Sequence, residues 1–180
     1  FLGPPIYHLM FSITGKISHL ISCREHILQG KKGIIVEPSQ LTNKWLSNHR
    51  SAQLDKIKIL YVGRIRVEKG IFSLLKILKK MSDNLTLSIV GAEKISKKTI
   101  NQKNVNVYEI ETNEDNLIKL YDDHNIFILP SFTEGYPMAI LESLARLRPV
   151  IIFKEIEHII GDKKGIFVAN RDSKSLFEKI

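Results

Sequence analysis

From Ile57 onward the chain alternates short aliphatic runs with amphipathic stretches, and no other feature of the sequence leaves so few folds open. Ile57–Gly63, Leu85–Val90, Val105–Tyr108, Ile126–Leu129, Val150–Phe153 and Gly165–Val168 have the length and β-branched content of buried strands. Between them, Ile71, Leu74, Leu75 and Leu78 fall at i, i+3, i+4 and i+7, which is one apolar face of a helix. Glu114–Asp123 turns Leu117, Leu120 and Tyr121 inward in the same way, Pro137–Leu147 reads as the next helix, and Ser173 opens a last one. Strands joined by single crossover helices run parallel, and helices then cover both faces of the sheet. The pattern predicts an α/β fold: a Rossmann-like doubly wound parallel sheet.

Upstream the pattern differs. Ser12–Gln29 reads as a helix ended by Gly30, Gly33–Glu37 as a short strand, and Ser39 as the N-cap of a helix running to about Asn48. A polar stretch without apolar periodicity then serves as a linker. The chain is thus expected to comprise residues 1–50 as the tail of a preceding domain, 51–56 as the linker and 57–180 as the α/β domain. It opens at Phe1 inside an apolar stretch and stops at Ile180 inside a helical pattern, so both ends read as cuts. The run from Phe1 to Ile21 is interrupted by Lys16 and two histidines, has no charged start like that of a signal peptide, and falls short of the ~20 unbroken apolar residues of a spanning helix. Soluble structure is expected there. Cys23, the only cysteine, has no partner for an internal bridge, which fits a reduced, cytoplasmic setting.

In doubly wound sheets ligands bind outside the carboxyl ends of the strands. The first strand ends there in Gly63-Arg64-Ile65-Arg66-Val67-Glu68-Lys69-Gly70, followed at once by a helix. Glycine admits a close backbone approach, a helix N-terminus adds partial positive charge, arginine grips phosphate oxygens in pairs and lysine supplies a mobile charge. The combination describes a diphosphate site, and read alone it equally describes a solvated strand edge. It is neither a Walker A loop nor a Gly-x-Gly-x-x-Gly fingerprint, which disfavours ATPase and dehydrogenase readings. The net charge of +8 also suits a phosphate-bearing partner. Its cations are mostly scattered lysines without arginine–aromatic interleaving, so no nucleic-acid partner is expected.

After the fourth strand comes Leu129-Pro130-Ser131-Phe132-Thr133-Glu134-Gly135-Tyr136-Pro137-Met138-Ala139-Ile140-Leu141-Glu142. Pro137 suits the first helical position, which leaves the Met138 and Ala139 amides as a second anion cradle. Glu134 and Glu142 stand eight residues apart; were the stretch wholly helical, that would be about 12 Å along the axis. Hydrolytic carboxylate pairs need roughly 5–9.5 Å, so two hydroxyl-bearing ends of one long ligand, such as a sugar and a ribose, suit this pair better. On spacing alone the simpler reading stays ahead, with Glu142 a surface helix residue and Glu134 a partner for the helix dipole.

Taken in order, these segments resemble glycosyltransferase family 4, the retaining enzymes of GT-B fold. The matching pieces are Gly63-Arg64 with Lys69-Gly70, Leu87-Ser88-Ile89-Val90-Gly91, Leu120-Tyr121 ahead of Ile126–Ser131, Glu134-Gly135-Tyr136-Pro137 through Glu142, and Pro149-Val150-Ile151. The likeness runs from about Lys56 to Val168 and concerns the C-terminal, donor-binding domain. It implies that Arg64 and Lys69 hold the donor diphosphate as leaving group and that Glu134 holds hydroxyls of the transferred sugar. It further implies that Gly63 makes room for the donor, that Gly135, Tyr136, Met138 and Ala139 line its sugar and phosphates, and that Glu142 takes the ribose. The loops after Gly91 and Tyr108 would lie near the base.

The implied partners are a nucleotide-sugar and a glycan or lipid-linked acceptor, together with the N-terminal, acceptor-binding domain of the same protein, of which residues 1–50 are the tail. A peripheral place at the cytoplasmic face of the membrane stays open. No Asp-x-Asp occurs in the chain, so no metal and no cofactor are expected. The sequence departs from the family at Leu147-Arg148 before Pro149, at Phe153–His158 in place of a Gly-Gly loop, and at Glu109-Ile110 in place of a glycine. These changes bear on sugar and base recognition; His158 reads as a solvated side chain. Two alternatives carry their own signatures. A sugar-nucleotide epimerase-like relative would react without an acceptor, and a non-catalytic regulatory module would need acidic residues where Gly63-Arg64 stands.

Overall fold

The computed structural model describes residues 9–10, 12–13, 16, 18–22, 28, 30–36, 41–53, 55–80, 84–92, 100, 102–160 and 163–180. It forms two compact units, Phe1–Gln40 and Leu41–Ile180. In the first, β1 (Leu20–Ser22) pairs in parallel with β2 (Gly33–Ile35), in register from Leu20↔Gly33 to Ser22↔Ile35. A continuous helix from Ser12 to Gln29 is therefore corrected. Leu20 and Ile21 fit a helical or a strand period equally well, and a partner strand in reach of hydrogen bonding decides between them. Residues 23–27 and the expected N-cap at Ser39 lie outside the described residues.

The second unit runs β3 (Ile57–Val62), α1 (Ile71–Leu78), β4 (Leu85–Ala92), β5 (Val105–Glu109), α2 (Glu114–Asp122), β6 (Ile126–Leu129), α3 (Met138–Ala145), β7 (Val150–Phe153), α4 (Glu157–Ile160), β8 (Ile166–Ala169) and α5 (Ser173–Phe177). Its six strands are all parallel, in the order β5-β4-β3-β6-β7-β8. Successive residues Ile59, Leu60 and Tyr61 are each at most 1% exposed, as is Phe127 beside Ile128, so both faces of the central strands are covered. That burial is why these strands are unbroken apolar runs rather than alternating ones. The chain moves outward from β3 in one direction to β5 and in the other to β8, which places the switch point of the winding between β3 and β6. Among the described residues no helix is long and apolar enough to cross a membrane.

The stretch 41–50, counted above with the upstream tail, begins the second unit. In place of a helix to Asn48 there is one 3-10 turn, Asn43–Leu46, and it presents Trp45 to the core. The indole meets Tyr121 edge-on at 5.6 Å between centroids and donates its N–H to Glu114 at 3.0 Å. Arg146, only 1% exposed, fixes the rest. Its Nε and Nη2 donate to the two Asp122 oxygens at 2.9 and 2.8 Å, and its remaining protons reach the carbonyls of Trp45, Ser47 and Asn48 at 3.0, 2.7 and 3.0 Å. The partners of that side chain lie up to 102 positions away, which no local pattern records.

Helix α3 ends in a Schellman turn. The Leu147 amide donates to the Leu144 carbonyl and the Arg148 amide to the Ser143 carbonyl, both at 3.0 Å. Leu147 occupies the position that favours glycine, with φ at 57°. This is where the departure from the family pattern has a backbone cost.

Two stability outcomes follow. Leu147→Gly relieves the left-handed strain while removing a side chain that is 66% exposed, and should raise stability by about 0.5–1 kcal/mol, read as a Tm increase of a few degrees. Arg146→Ala strands a buried carboxylate and three carbonyls, and should cost about 3–5 kcal/mol in urea unfolding.

Candidate functional site

The loops after β3 and β6 meet at the switch point. Tyr61, fully buried at the end of β3, donates its hydroxyl to the Arg64 carbonyl at 2.8 Å and so fixes the first residues of the loop. Burial pushes its phenol well above the usual range, the Glu134 charge adds to this, and Arg64 opposes it. The Arg64 side chain itself is exposed. Gly63 donates to the Val90 carbonyl at 2.9 Å, and its own carbonyl occupies the space that a Cβ on Gly91 would need. A 3-10 turn, Val67–Lys69, leads to Gly70 at φ 67°, where a Cβ would collide with the Pro130 carbonyl. Only glycine allows the two loops to lie this close. They are tied again where Phe132 N donates to Glu68 O at 2.9 Å.

That contact brings Lys69 to Glu134. The ammonium donates to both carboxylate oxygens, at 2.7 and 2.9 Å, and the hydroxyl of fully buried Ser131 donates to one of them at 2.5 Å. The two charged side chains are 20% and 8% exposed, so the pair is largely sheltered from water. An ammonium carries three protons, and two bonds to Glu134 leave one for a further acceptor. A Cβ on Gly135 would meet nothing within 4 Å, so the chain is open there.

Helix α3 opens at Met138. Pro137, expected as its first residue, is the N-cap instead, with ψ at 93°, outside the helical range. Glu134 therefore lies in irregular chain ahead of the helix, and the 12 Å figure for a fully helical stretch does not apply. The half-buried Met138 and Ala139 carry the amides that precede the first turn's bond, donated by Ile140 to the Pro137 carbonyl at 3.1 Å. Tyr136 is half-buried beside them.

Glu142, one helical turn further on, is held differently. It accepts the hydroxyl of buried Tyr121 at 2.7 Å. Burial raises its carboxyl above the ordinary range, and the Tyr121 hydrogen bond partly offsets the rise. The Glu142 charge in turn adds to the burial that pushes the Tyr121 phenol up. One glutamate of the pair thus faces a cation, the other a phenol.

Beside β4 and β5 lies a cavity of about 410 Å³, lined by Val90, Tyr108, Ile110, Asn116 and Leu120 among others. It borders the loop after Tyr108; residues 93–99 after Gly91 lie outside the described residues. His158 is exposed on α4, which with the 3-10 turn Lys154–Ile156 replaces the loop expected after β7. Among the described residues no group of three histidine, cysteine, aspartate or glutamate side chains is arranged to hold a metal ion. Ser131, Tyr61 and Arg171 were not singled out as site residues. Ser131 stands only three positions before Glu134, a spacing the sequence does carry, whereas Tyr61 acts through the Arg64 backbone carbonyl and Arg171 through segments 40 or more positions away, which leave no spacing to read.

The family model described as glycosyl transferases group 1 matches residues 43–180. The chain is 31% identical over 164 residues to the capsular polysaccharide biosynthesis glycosyltransferase CapM of Staphylococcus aureus, covering 82% of this chain and 42% of that protein. It is 29% identical over 130 residues to the putative teichuronic acid biosynthesis glycosyltransferase TuaC of Bacillus subtilis, covering 71% and 33%. It thus spans less than half the length of these curated relatives. Its fold superimposes on the crystal structure of Anabaena Alr3699/HepE in complex with UDP and glucose with a TM-score of 0.74 at 12% identity, covering 96% of this chain and 55% of that one.

The raised Glu142 carboxyl sets a sign for stability. A carboxyl whose folded pKa exceeds its unfolded value favours folding below the unfolded value, near 4.3, and loses that contribution as pH rises through the folded one. Glu142→Gln should therefore stabilise the chain at pH 7, with the advantage shrinking toward pH 4. Urea midpoints of both proteins across that range measure it, and a difference that stays constant with pH would contradict the assignment.

Proposed function

The chain belongs to the glycosyl transferases group 1 family, and from that premise we propose that the full-length protein transfers a sugar from a nucleotide-sugar donor to a glycan or lipid-linked acceptor with retention of configuration. Residues 57–180 hold the donor. The observation that carries this reading is the Lys69–Glu134 pair at the switch point, 2.7 Å apart and beside the N-terminus of α3.

As the glycosidic bond breaks, negative charge grows on the departing nucleotide diphosphate. Preorganised cations and N–H dipoles stabilise such charge most where water is scarce. Lys69 offers its remaining proton to a phosphate oxygen, and exposed Arg64 closes on the diphosphate from the same loop. The Met138 and Ala139 amides supply the helix end, and the backbone at Gly63 and Gly135 gives the donor room. Glu134, held by Lys69 and Ser131, keeps one acceptor site, on Oε2, for a sugar hydroxyl. Glu142 takes the ribose with the oxygen that Tyr121 leaves, Tyr136 lines the sugar, and the cavity past Val90 and Tyr108 receives the base. The side-chain cations do the work that a divalent ion does elsewhere, so donor binding is metal-independent.

The relatives' roles in capsular polysaccharide and teichuronic acid synthesis support a cell-envelope glycan or its lipid-linked precursor as acceptor, and the complex with UDP supports a nucleoside diphosphate in the donor. The acceptor is held by an N-terminal domain whose tail is residues 1–40, so these 180 residues bind donor but turn over poorly alone. The setting is the cytoplasmic side of the membrane, with peripheral attachment.

Calorimetric titration of the chain with UDP, GDP and ADP tests the reading. At least one should bind, and Arg64→Ala with Lys69→Ala should weaken it roughly 10- to 100-fold per residue, the worth of a charge-assisted hydrogen bond. EDTA should leave the affinity unchanged. Affinity should also fall as acid protonates Glu142, since a neutral carboxyl accepts ribose protons less well. Binding untouched by the double substitution would overturn the assignment.

A further inference from the structure

Arg171 stands just ahead of α5, outside both loops of the site, yet its guanidinium gathers three separate segments. Nε donates to Glu155 at 2.7 Å, Nη1 to the Ser73 hydroxyl and the Pro130 carbonyl, both at 2.8 Å, and Nη2 to the Ser131 carbonyl at 3.2 Å. The group also lies 4.0 Å from the Phe132 ring centroid and 4.4 Å from that of Phe153. Its edges are occupied by acceptors and its plane by aromatic rings, so one orientation satisfies all of them. Glu155, whose carboxyl Arg171 holds below the ordinary range, anchors the cluster to the turn after β7.

The segments it joins are the ones whose spacing defines the site. Ser131 gives its carbonyl to Arg171 and its hydroxyl to Glu134, so the two bonds run through a single residue. On the other side, Nη1 lies 2.9 Å from where a Cβ on Gly70 would stand, and Gly70 follows Lys69 directly. Ser73, one turn into α1, is bonded by the same Nη1 and donates to the Gly70 carbonyl at 3.0 Å. A displacement of the guanidinium would move the Glu134 loop and the Lys69 loop relative to each other.

We propose that Arg171 is a positioning residue for the donor site, fixing the separation of Lys69 and Glu134 through the Pro130 and Ser131 carbonyls and the start of α1. This rests on the reading of that site as the one that holds the nucleotide-sugar. Arg171 does not itself bind donor; it keeps Glu134 where the transferred sugar must meet it while Lys69 addresses the diphosphate. A lysine cannot replace it, because an ammonium has neither the forked edge nor the flat face.

The test uses the 180-residue chain and two measurements. Hydrogen exchange without ligand should show Arg171→Ala raising exchange tenfold or more at the amides of 68–71 and 131–136, the Phe132 amide included, while β3 and β4 stay within twofold. Titration with UDP-glucose and GDP-mannose should show the same substitution weakening the sugar nucleotide that binds about tenfold, yet less than twofold in a Glu134→Ala background, with the free diphosphate little affected in either. Arg171→Lys should behave like Arg171→Ala in both, and it carries the test should the alanine variant not fold. Uniform exchange across the sheet, unchanged exchange at 131–136, or equal losses with and without Glu134 would overturn the role. If the unsubstituted chain binds neither sugar nucleotide, it is the donor-site reading that fails, and the exchange pattern still decides whether Arg171 orders these loops.

Discussion

The site depends on the pairing of β3 with β6. Strands joined in sequence would have placed β5 next to β6; instead Ile59 aligns with Ile126 and Leu60 with Phe127, and the winding reverses there. At such a reversal the two connections leave in opposite directions and a crevice opens between the strand ends. Lys69 and Glu134, 65 positions apart, meet because their loops are the two walls of that crevice. Gly70 then lets the walls touch, since any side chain there would strike the Pro130 carbonyl.

A cation and a carboxylate sheltered from water attract strongly, and taking each out of water is costly. The Lys69–Glu134 pair limits that cost by geometry: both carboxylate oxygens receive the ammonium, and Ser131 adds a hydroxyl proton. Glu142 has no cation beside it. Its one neutral donor, Tyr121, does not cancel the effect of burial, and its carboxyl rises. Two glutamates eight residues apart thus have different partners, because one meets an ammonium at the switch point and the other a phenol of α2. A ligand with an anionic centre and neutral hydroxyls at both ends matches that division.

Periodicity was enough to place the strands and α1, because each buries its residues in a repeat that the sequence itself carries. Ile71–Leu78, Ile126–Leu129 and Val150–Phe153 are found with the predicted bounds, and β3 ends within one residue of its own. The failures have a common cause. Leu20–Ser22 became strand through its partner at Gly33–Ile35, and Asn43–Leu46 is held by Trp45 burial and by Arg146, neither of which is local. Pro137 took the cap rather than the first helical position, a shift of one residue that composition cannot resolve. Motif order picked out Lys69 and Glu134 by resemblance, but the hydrogen bonds that orient them come from Ser131 and, one step further out, from Arg171.

The cations divide in the same way. A formal charge of +8 read from composition suggested solvated lysines, yet several arginines are structural. Irregular segments at the ends of a parallel sheet leave carbonyls with no strand or helix to pair them, and burying such a group unpaired is costly. Arg146 satisfies those of Trp45, Ser47 and Asn48, Arg148 those of Arg50, Tyr121 and Asp122, and Arg171 those of Pro130 and Ser131. A forked donor can serve two or three carbonyls from one position, which an ammonium on a flexible stem does less well. The net charge of the chain is therefore partly a by-product of how its loops are held.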